Sequence, residues 1–173
     1  MESVLLLINH GADVTAQDKT RSTPLHMASS EANVHIAQLL IEHGADVNVK
    51  NETYSTPLHL ASSWVSGRTA PRLTCCSTDI NGQNDTHSGT SNSIRCREKA
   101  AMVRLLIKHG ADVNARDEDQ STSLHLASSY ASTETVHLLV EHGADVNARD
   151  GSHRTPLHLA SSCVSNTAVL HLI

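Results

Sequence analysis

The sequence LLIEHGADVN, from Leu39 to Asn48, decides the fold because it recurs almost unchanged along the chain. Further copies begin at Leu6, Leu105 and Leu138. The glycine of each copy falls at one of four positions, Gly11, Gly44, Gly110 and Gly143. Successive glycines are therefore 33, 66 and 33 residues apart. A fixed period of this length is typical of a solenoid, in which each repeat buries its apolar face against the next. The period predicts stacked repeats.

A second motif keeps the same period and predicts the start of a short helix. It reads Thr23-Pro24-Leu25-His26 in the first copy and recurs from Thr56, Thr122 and Thr155. Threonine is a favoured residue before a helix, and proline fits the first helical position, where its missing N–H costs nothing. A second helix is predicted from Val34 to Glu42, with a broad apolar face. Gly44 then ends that helix, because glycine readily adopts the left-handed conformation.

Together these motifs resemble the ankyrin repeat family: TPLH, a small-residue first helix, a leucine-rich second helix and GADVN, at a 33-residue period. The resemblance covers most of the chain. It implies an all-α solenoid of stacked antiparallel helix pairs, with short β-hairpin-like loops projecting at right angles. The predicted division is a partial repeat 1–21, a repeat 22–54, an interrupted repeat 55–120, a repeat 121–153 and a partial repeat 154–173. Because both ends fall inside a repeat, we expect a fragment of a longer array.

Residues 65–97 interrupt this pattern, being rich in Ser, Thr, Asn and Gly and poor in apolar residues. A decayed repeat is one interpretation, since Asp79-Ile80-Asn81 follows Asp46-Val47-Asn48 by 33 residues. Pro71 argues against it, because it falls inside the expected second helix and would break it. Deleting 65–97 joins the two halves of one repeat without a gap, which favours an insertion. We predict that the insertion is a flexible loop.

Several turns lack the glycine that the family usually carries. Before the TPLH motif these positions hold Arg21, Tyr54, Gln120 and His153, and between the helices they hold Ala32, Ala131 and Val164. Side chains at positive φ are uncommon and costly. We therefore expect strained turns and modest stability.

Composition and charge argue against several classes of partner. The net charge is −5 and no Lys/Arg cluster is present, whereas binding to a phosphate backbone needs several cations along one face. No apolar run approaches the roughly 18 residues of a membrane span, and no signal peptide is apparent. The four cysteines recur at no repeat position, so we expect reduced thiols. We predict a cytoplasmic or nuclear protein that binds neither nucleic acid nor membrane.

The thirteen histidines suggest metal or acid–base chemistry, but eight of them belong to the two repeated motifs. Equivalent side chains in stacked helices lie about 8–10 Å apart, too far to share one zinc ion. The family resemblance implies that the TPLH histidine is structural. A zinc site made by Cys75, Cys76, Cys96 and His87 is the weaker alternative. No single set of nucleophile, base and orienting group stands out, so we expect no enzyme and no cofactor.

The resemblance implies a protein–protein interaction module, or scaffold, that meets its partner at the hairpin tips and on the exposed side of the first helices. The tip residues are Lys19, Thr20, Glu52, Thr53, Tyr54, Glu118, Asp119, Ser152 and Arg154. The first-helix ends are Glu31, Trp64, Tyr130 and Cys163. Trp64 and Tyr130 are either interface anchors or covers for the helix-turn junction.

Three further expectations concern the partner and the state of the chain. The acidic run 117–119 would attract a basic partner segment. We expect a monomer. The alternative function is the recognition arm of a larger enzyme or adaptor, and a third possibility is a fragment without independent function.

Overall fold

The structure is a computed structural model, and it describes residues 2–63, 89–130 and 132–162. Within these ranges the chain is helical, with turns and loops between the helices. The helices are α1 (Glu2–Asn9), α2 (Pro24–Ser30), α3 (Val34–Glu42), α4 (Pro57–Ser62), α5 (Gly89–Lys108), α6 (Ser123–Ser129), α7 (Thr133–Glu141) and α8 (Pro156–Ser162).

The helices alternate between two roles, as the motifs predict. The first helices, α2, α4, α6 and α8, follow the threonine of each TPLH-type motif, and the second helices are α1, α3, α5 and α7. Each of the pairs α2–α3, α4–α5 and α6–α7 packs together. The first helices also pack in the order α2, α4, α6, α8, and the second helices in the order α3, α5, α7. This arrangement confirms the predicted all-α repeat solenoid.

The core is a column of small apolar layers, one for each of the helix pairs α2–α3, α4–α5 and α6–α7. Leu25, Leu58 and Leu124, at the same position of three first helices, are fully buried. Leu40, Leu106 and Leu139 meet them from the second helices and are also buried. Burying one leucine side chain stabilises a fold by about 1.5–3 kcal/mol. Alanines let the helices approach closely, and the buried ones include Ala28, Ala37, Ala61, Ala100 and Ala127.

The repeats on the two sides of residues 65–97 stack directly on each other. The ring of His26 bonds to the carbonyl of Ser55, 29 residues away, whereas the equivalent ring of His59 bonds to Ser121, 62 residues away. The difference, 62 − 29 = 33, equals the length of the segment 65–97. At the base of the interruption, the Nζ of Lys99 donates a hydrogen bond to the carbonyl of Ser63. Helix α4 accordingly packs on both α5 and α6.

Helix α5 corrects the prediction that the whole insertion is a loop. It begins at Gly89 and has 20 residues, whereas α3 and α7 have 9 each. Residues 89–97 are therefore helical, and residues 64–88 lie outside the described part of the chain. The physical reason is that adding a residue to an existing helix avoids the cost of nucleation. The buried turn that contains Met102 and Leu106 supplies that nucleus.

The turns that lack glycine adopt the strained conformation expected from the sequence. Positive φ angles between 56° and 61° occur at Arg21, Ala32, Tyr54, Gln120 and His153. Positive φ is also found at the glycine that follows each described second helix. Ala131 and Val164 lie outside the described residues.

Candidate protein-binding surface

Each hairpin loop is built on one polar side chain that accepts hydrogen bonds from backbone amides of the same loop. Asp18 accepts from the amides of Thr20 at 2.8 Å and Ser22 at 2.9 Å. The same position is held by Asn51, Asp117 and Asp150 in the later loops. Such side-chain turns fix the backbone locally, so each tip presents its neighbouring residues in a defined orientation.

Neighbouring hairpins are joined at their tips by one backbone hydrogen bond. The three bonds run from the amide of Glu52 to the carbonyl of Thr20 at 2.8 Å, from Glu118 to Thr53 at 2.9 Å, and from Gly151 to Asp119 at 2.8 Å. The second of these bonds passes across the interruption in the sequence. The tips therefore form one continuous row.

The structure places the predicted tip residues on this row, and every one of them is exposed. They are Lys19, Thr20, Glu52, Thr53, Tyr54, Glu118, Asp119, Ser152 and Arg154. Some of their polar groups are already used within the loop. The hydroxyl of Thr20 donates to Asp18 at 2.7 Å, and that of Thr53 donates to Asn51 at 2.9 Å. These two hydroxyls shape the tips.

Arg154 is held by an ion pair. Its guanidinium lies 2.9 Å from the carboxylate of Asp150, which is itself buried. The planar guanidinium group is thereby fixed at the edge of the last described hairpin. About half of the Arg154 side chain remains exposed.

Tyr54 is the most exposed aromatic side chain among the described residues, with 57% of its surface accessible. The Nζ of Lys50 lies 6.0 Å from the centre of its ring, at the outer limit of a cation–π contact. Lys50 was not among the binding residues predicted from the sequence. Its position just before the hairpin, four residues before Tyr54, could have indicated that the two side chains lie close together.

The first-helix ends are only partly described. Glu31 and Tyr130 are the residues that immediately follow α2 and α6, and both are exposed. Trp64 and Cys163, the other two residues of this predicted column, lie outside the described residues. The structure therefore places one of the two predicted aromatic anchors.

The first helices also carry an apolar column that was not predicted from the sequence. It consists of the residue that follows the histidine of each motif, namely Met27, Leu60, Leu126 and Leu159. Met27 is exposed and the three leucines are partly exposed. Because the leucine before the histidine is buried in three of these helices, the residue after it lies toward the outer side. The repeated apolar residue after the motif histidine could therefore have predicted this column.

Three cations were also missed, although they occupy one position of successive hairpins. Lys50, Arg116 and Arg149 are all exposed. Arg116 donates to the carbonyl of Arg149 at 2.7 Å, and Lys50 reaches the carbonyl of Arg116 at 3.4 Å. These contacts hold the side chains of Lys50 and Arg116 against the next hairpin, one repeat away.

An asparagine bridge joins the loops that follow successive second helices. The side chain of Asn48 donates to the carbonyl of Gly110 at 3.0 Å and accepts from the amide of Asp112 at 2.8 Å. Asn114 makes the same two bonds to the next repeat. In the first repeat Thr15 takes this position, and its hydroxyl donates to Asp13 instead.

The buried motif histidines His26, His59 and His125 are structural, as the family resemblance implies. The Nδ1 of His26 accepts a hydrogen bond from the backbone amide of Thr23 at 3.1 Å, and its Nε2 lies 3.0 Å from the carbonyl of Ser55. An amide only donates and a carbonyl only accepts, so the ring is neutral with its proton on Nε2. Burial lowers the pKa of His26 and of His59, which favours this neutral form.

The remaining pKa shifts concern carboxylates of the loops. A hydrogen bond from the Thr15 hydroxyl lowers the pKa of Asp13, and one from Thr20 lowers that of Asp18. Burial acts to raise the pKa of Asp150, but hydrogen bonds from Arg154 outweigh it and the pKa is lowered. All three groups are thus ionised acceptors that hold loops in place. The alternative zinc ligands Cys75, Cys76, Cys96 and His87 are not among the side chains that the structure describes.

Comparison with known families agrees with the geometry. The family model for ankyrin repeats matches three times, over residues 1–84, 69–150 and 93–173. This chain belongs to the ankyrin repeat family. No curated protein matches this ankyrin-repeat chain significantly over its sequence.

Family membership defines the class of function. Ankyrin repeats are generally protein–protein interaction modules, and domains of this family are typically non-catalytic. Among the described residues of this ankyrin-repeat chain, none of the helices has the length and apolar character needed to span a bilayer.

Proposed function

We propose that this ankyrin array binds a partner protein on the surface formed by the hairpin tips and the outer side of the first helices. The observation that carries the proposal is the row of tips, which backbone hydrogen bonds join across the interrupted segment. A continuous rigid row lets one partner contact several repeats at once. Because the tips are already ordered before a partner binds, less conformational entropy is lost on binding.

We further propose that residues 55–120 form one repeat that is interrupted by 65–97, between the repeats 22–54 and 121–153. The direct packing of α4 on α6, and the added 33 residues in the His59–Ser121 separation, support this division. The binding surface would then run without a break from the first hairpin to the last.

The chemistry of the surface favours a partner with both apolar and charged groups. The apolar column offers Met27 and the partly exposed leucines, while Tyr54 and Tyr130 offer aromatic anchors of the kind enriched in interface hot spots. Charges of both signs lie on the hairpins, with Lys50 and Glu52 as one close example. The proposed function needs no catalytic group, and the expectation of a monomer stays a prediction.

Site-specific photo-crosslinking tests this proposal. A benzophenone amino acid replaces Tyr54 in one variant and Tyr130 in another, and the control variant carries it at Arg104, which is exposed on a second helix. We expect the first two sites to capture the same protein and the control site to capture none. The change Met27→Glu should abolish capture from Tyr54. Equal capture at Arg104, or capture that Met27→Glu leaves unchanged, would contradict the proposed surface.

A further inference from the structure

The junctions between the loops that follow the second helices are not all closed in the same way. The loops after α3 and α5 each carry an asparagine, Asn48 or Asn114, whose carboxamide bonds to the loop of the next repeat. The loop after α1 carries Thr15 at this position. Its hydroxyl donates to Asp13, 2.6 Å away within the same loop, and does not reach the next one. The first junction therefore lacks its bridge.

This difference leaves one acceptor and one donor unused in the second loop. In the register of the motif, the carbonyl of Gly44 is equivalent to that of Gly110, and the amide of Asp46 is equivalent to that of Asp112. Among the described residues, no group makes a hydrogen bond to that carbonyl or to that amide. Gly44 and Asp46 are both exposed, so a group from outside the chain can reach them.

The first junction nevertheless has the geometry of a bridged one. The hairpin tips beside it are joined by a backbone hydrogen bond of 2.8 Å, compared with 2.9 Å at the next junction. The loops also make the same turn, because the amide of Thr15 donates to Asp13 at 2.8 Å, as the amide of Asn48 does to Asp46 at 2.8 Å. The free carbonyl and the free amide therefore keep the spacing that one carboxamide can span.

A cavity of about 310 Å³ lies at this junction. Val14, Ala45 and Val49 give it apolar walls, and Thr15 and Asp46 contribute polar groups. All of its lining residues belong to two consecutive loops and the hairpin between them, which the structure describes. The cavity is thus a feature of the stacked loops, and no residue of α1 or α8 lines it.

The chemistry of the unused pair selects its ligand. A carboxamide carries a donor for the Gly44 carbonyl and an acceptor for the Asp46 amide on one planar group. A lysine or arginine side chain only donates, so it would leave the Asp46 amide unpaired. An ionised carboxylate only accepts, and it would also meet the acidic side chain of Asp46 in the cavity wall.

We propose that this cavity binds the side-chain carboxamide of an asparagine or glutamine from a partner protein. The proposal rests on the proposed partner-binding function, because the cavity lies at the base of the first two hairpins. The N–H of the bound carboxamide donates to the carbonyl of Gly44, and its oxygen accepts from the amide of Asp46. The bound group thereby does what Asn48 does one repeat later, and its aliphatic carbons contact Val14 and Val49. The threonine at position 15 makes this one junction specific for an amide side chain.

Heteronuclear NMR of the backbone amides in the full chain tests the proposal. The probe is N-acetylglutamine methylamide, and the control compound is the corresponding glutamate derivative, which has the same backbone. We expect the glutamine probe to shift the amide resonance of Asp46 until the site is saturated. The amides of Asp112 and Asp145 serve as internal controls and should not shift, because Asn48 and Asn114 already occupy them. The glutamate derivative should leave all three resonances in place.

Two reciprocal variants separate the site from a general effect of the probe. Thr15→Asn lets the chain fill its own cavity and should abolish the response of Asp46. Asn48→Thr opens the second junction, so the amide of Asp112 should then respond as well. In that variant the response of Asp46 should persist, which shows that the chain is still folded around the first junction.

A resonance of Asp46 that does not move up to the solubility limit of the probe overturns the proposal. An equal shift with the glutamate derivative, or a shift that Thr15→Asn leaves unchanged, overturns it as well.

Crosslinking from Tyr54 distinguishes this proposal from the proposed function. Loss of two neutral hydrogen bonds corresponds to roughly tenfold weaker binding or more, so Thr15→Asn should reduce capture about tenfold. Unchanged capture would remove the carboxamide site and leave the binding surface standing. A parent chain that captures no protein would remove the surface itself, and with it the partner that this site requires.

Discussion

Replacing Gln120 by glycine should stabilise the protein, although it removes a side chain. Gln120 has a φ angle of +58° in the hairpin that precedes α6, and its side chain is exposed. A residue with a Cβ atom in this left-handed conformation costs about 1–2 kcal/mol. Glycine removes that cost but gains about 0.4–1 kcal/mol of conformational freedom in the unfolded chain. The net expected stabilisation is about 0.5–1 kcal/mol.

Urea denaturation followed by circular dichroism measures this change. The matched control is Glu118→Gly, two positions earlier in the same hairpin, where the side chain is also exposed and φ is not positive. There glycine relieves no strain, so we expect a loss of about 0.5–1 kcal/mol from chain entropy. The two variants should shift the urea midpoint in opposite directions. If both lower it by the same amount, the hairpin is not strained at Gln120 and the account of these turns is wrong.

Three further changes test other parts of the structure. The substitution Thr15→Asn should add the missing bridge to the carbonyl of Gly44, and raise the free energy of unfolding by about 1 kcal/mol in urea titrations; an unchanged midpoint would show that the bridge does not form there. The buried rings of His26 and His59 have lowered pKa values, so the unfolded chain takes up protons below its ordinary histidine pKa of 6.5 while the folded chain does not. Stability should therefore be complete above pH 6.5 and fall as the pH drops from 6.5 toward 5, and melts that are flat over this range would contradict it. The change His59→Ala should cost about 3 kcal/mol, because it leaves two buried backbone groups unpaired, whereas His158→Ala at the exposed end should cost less than about 1 kcal/mol in dilute solution.

The fold could be predicted from the sequence because its period and its helix boundaries are local properties. Helix α3 spans Val34–Glu42, as predicted, since an apolar stripe, a preceding turn and Gly44 define it without reference to the rest of the chain. The positive φ at Arg21 and Tyr54 was predictable for the same reason, because the turn requires it whichever residue stands there.

Other features depend on contacts between repeats and could not be read from one repeat alone. The composition of residues 89–97 suggests a loop, yet α5 begins at Gly89. This extension depends on the buried turns of the same helix, which supply the nucleus from which it grows. The exposure of Leu7 could not be predicted either, because the residues around Leu7 match those around the buried Leu40. Only the arrangement of neighbouring helices distinguishes the two.

The candidate surface was predicted in part. The tip residues follow from the loop positions, and they lie in one row. The apolar column that begins at Met27 was overlooked because leucine and methionine in a short helix suggest core packing. That interpretation holds for Leu25, which is buried, and fails for Met27, two residues later, which is exposed.

The most direct test of a continuous ankyrin array is the deletion of residues 65–97, compared with the full chain by circular dichroism and urea denaturation. The hydrogen bond between Lys99 and Ser63 shows that the two ends of this segment already meet in the fold. Shortening the connection from about 35 residues to about two removes roughly four doublings of loop length, or about 2 kcal/mol of closure cost. We predict a cooperative transition at a higher urea concentration, with helix lost only from residues 89–97. A broad transition, or loss of helix beyond that stretch, would show that the segment supports the stack and that the array is not continuous across it.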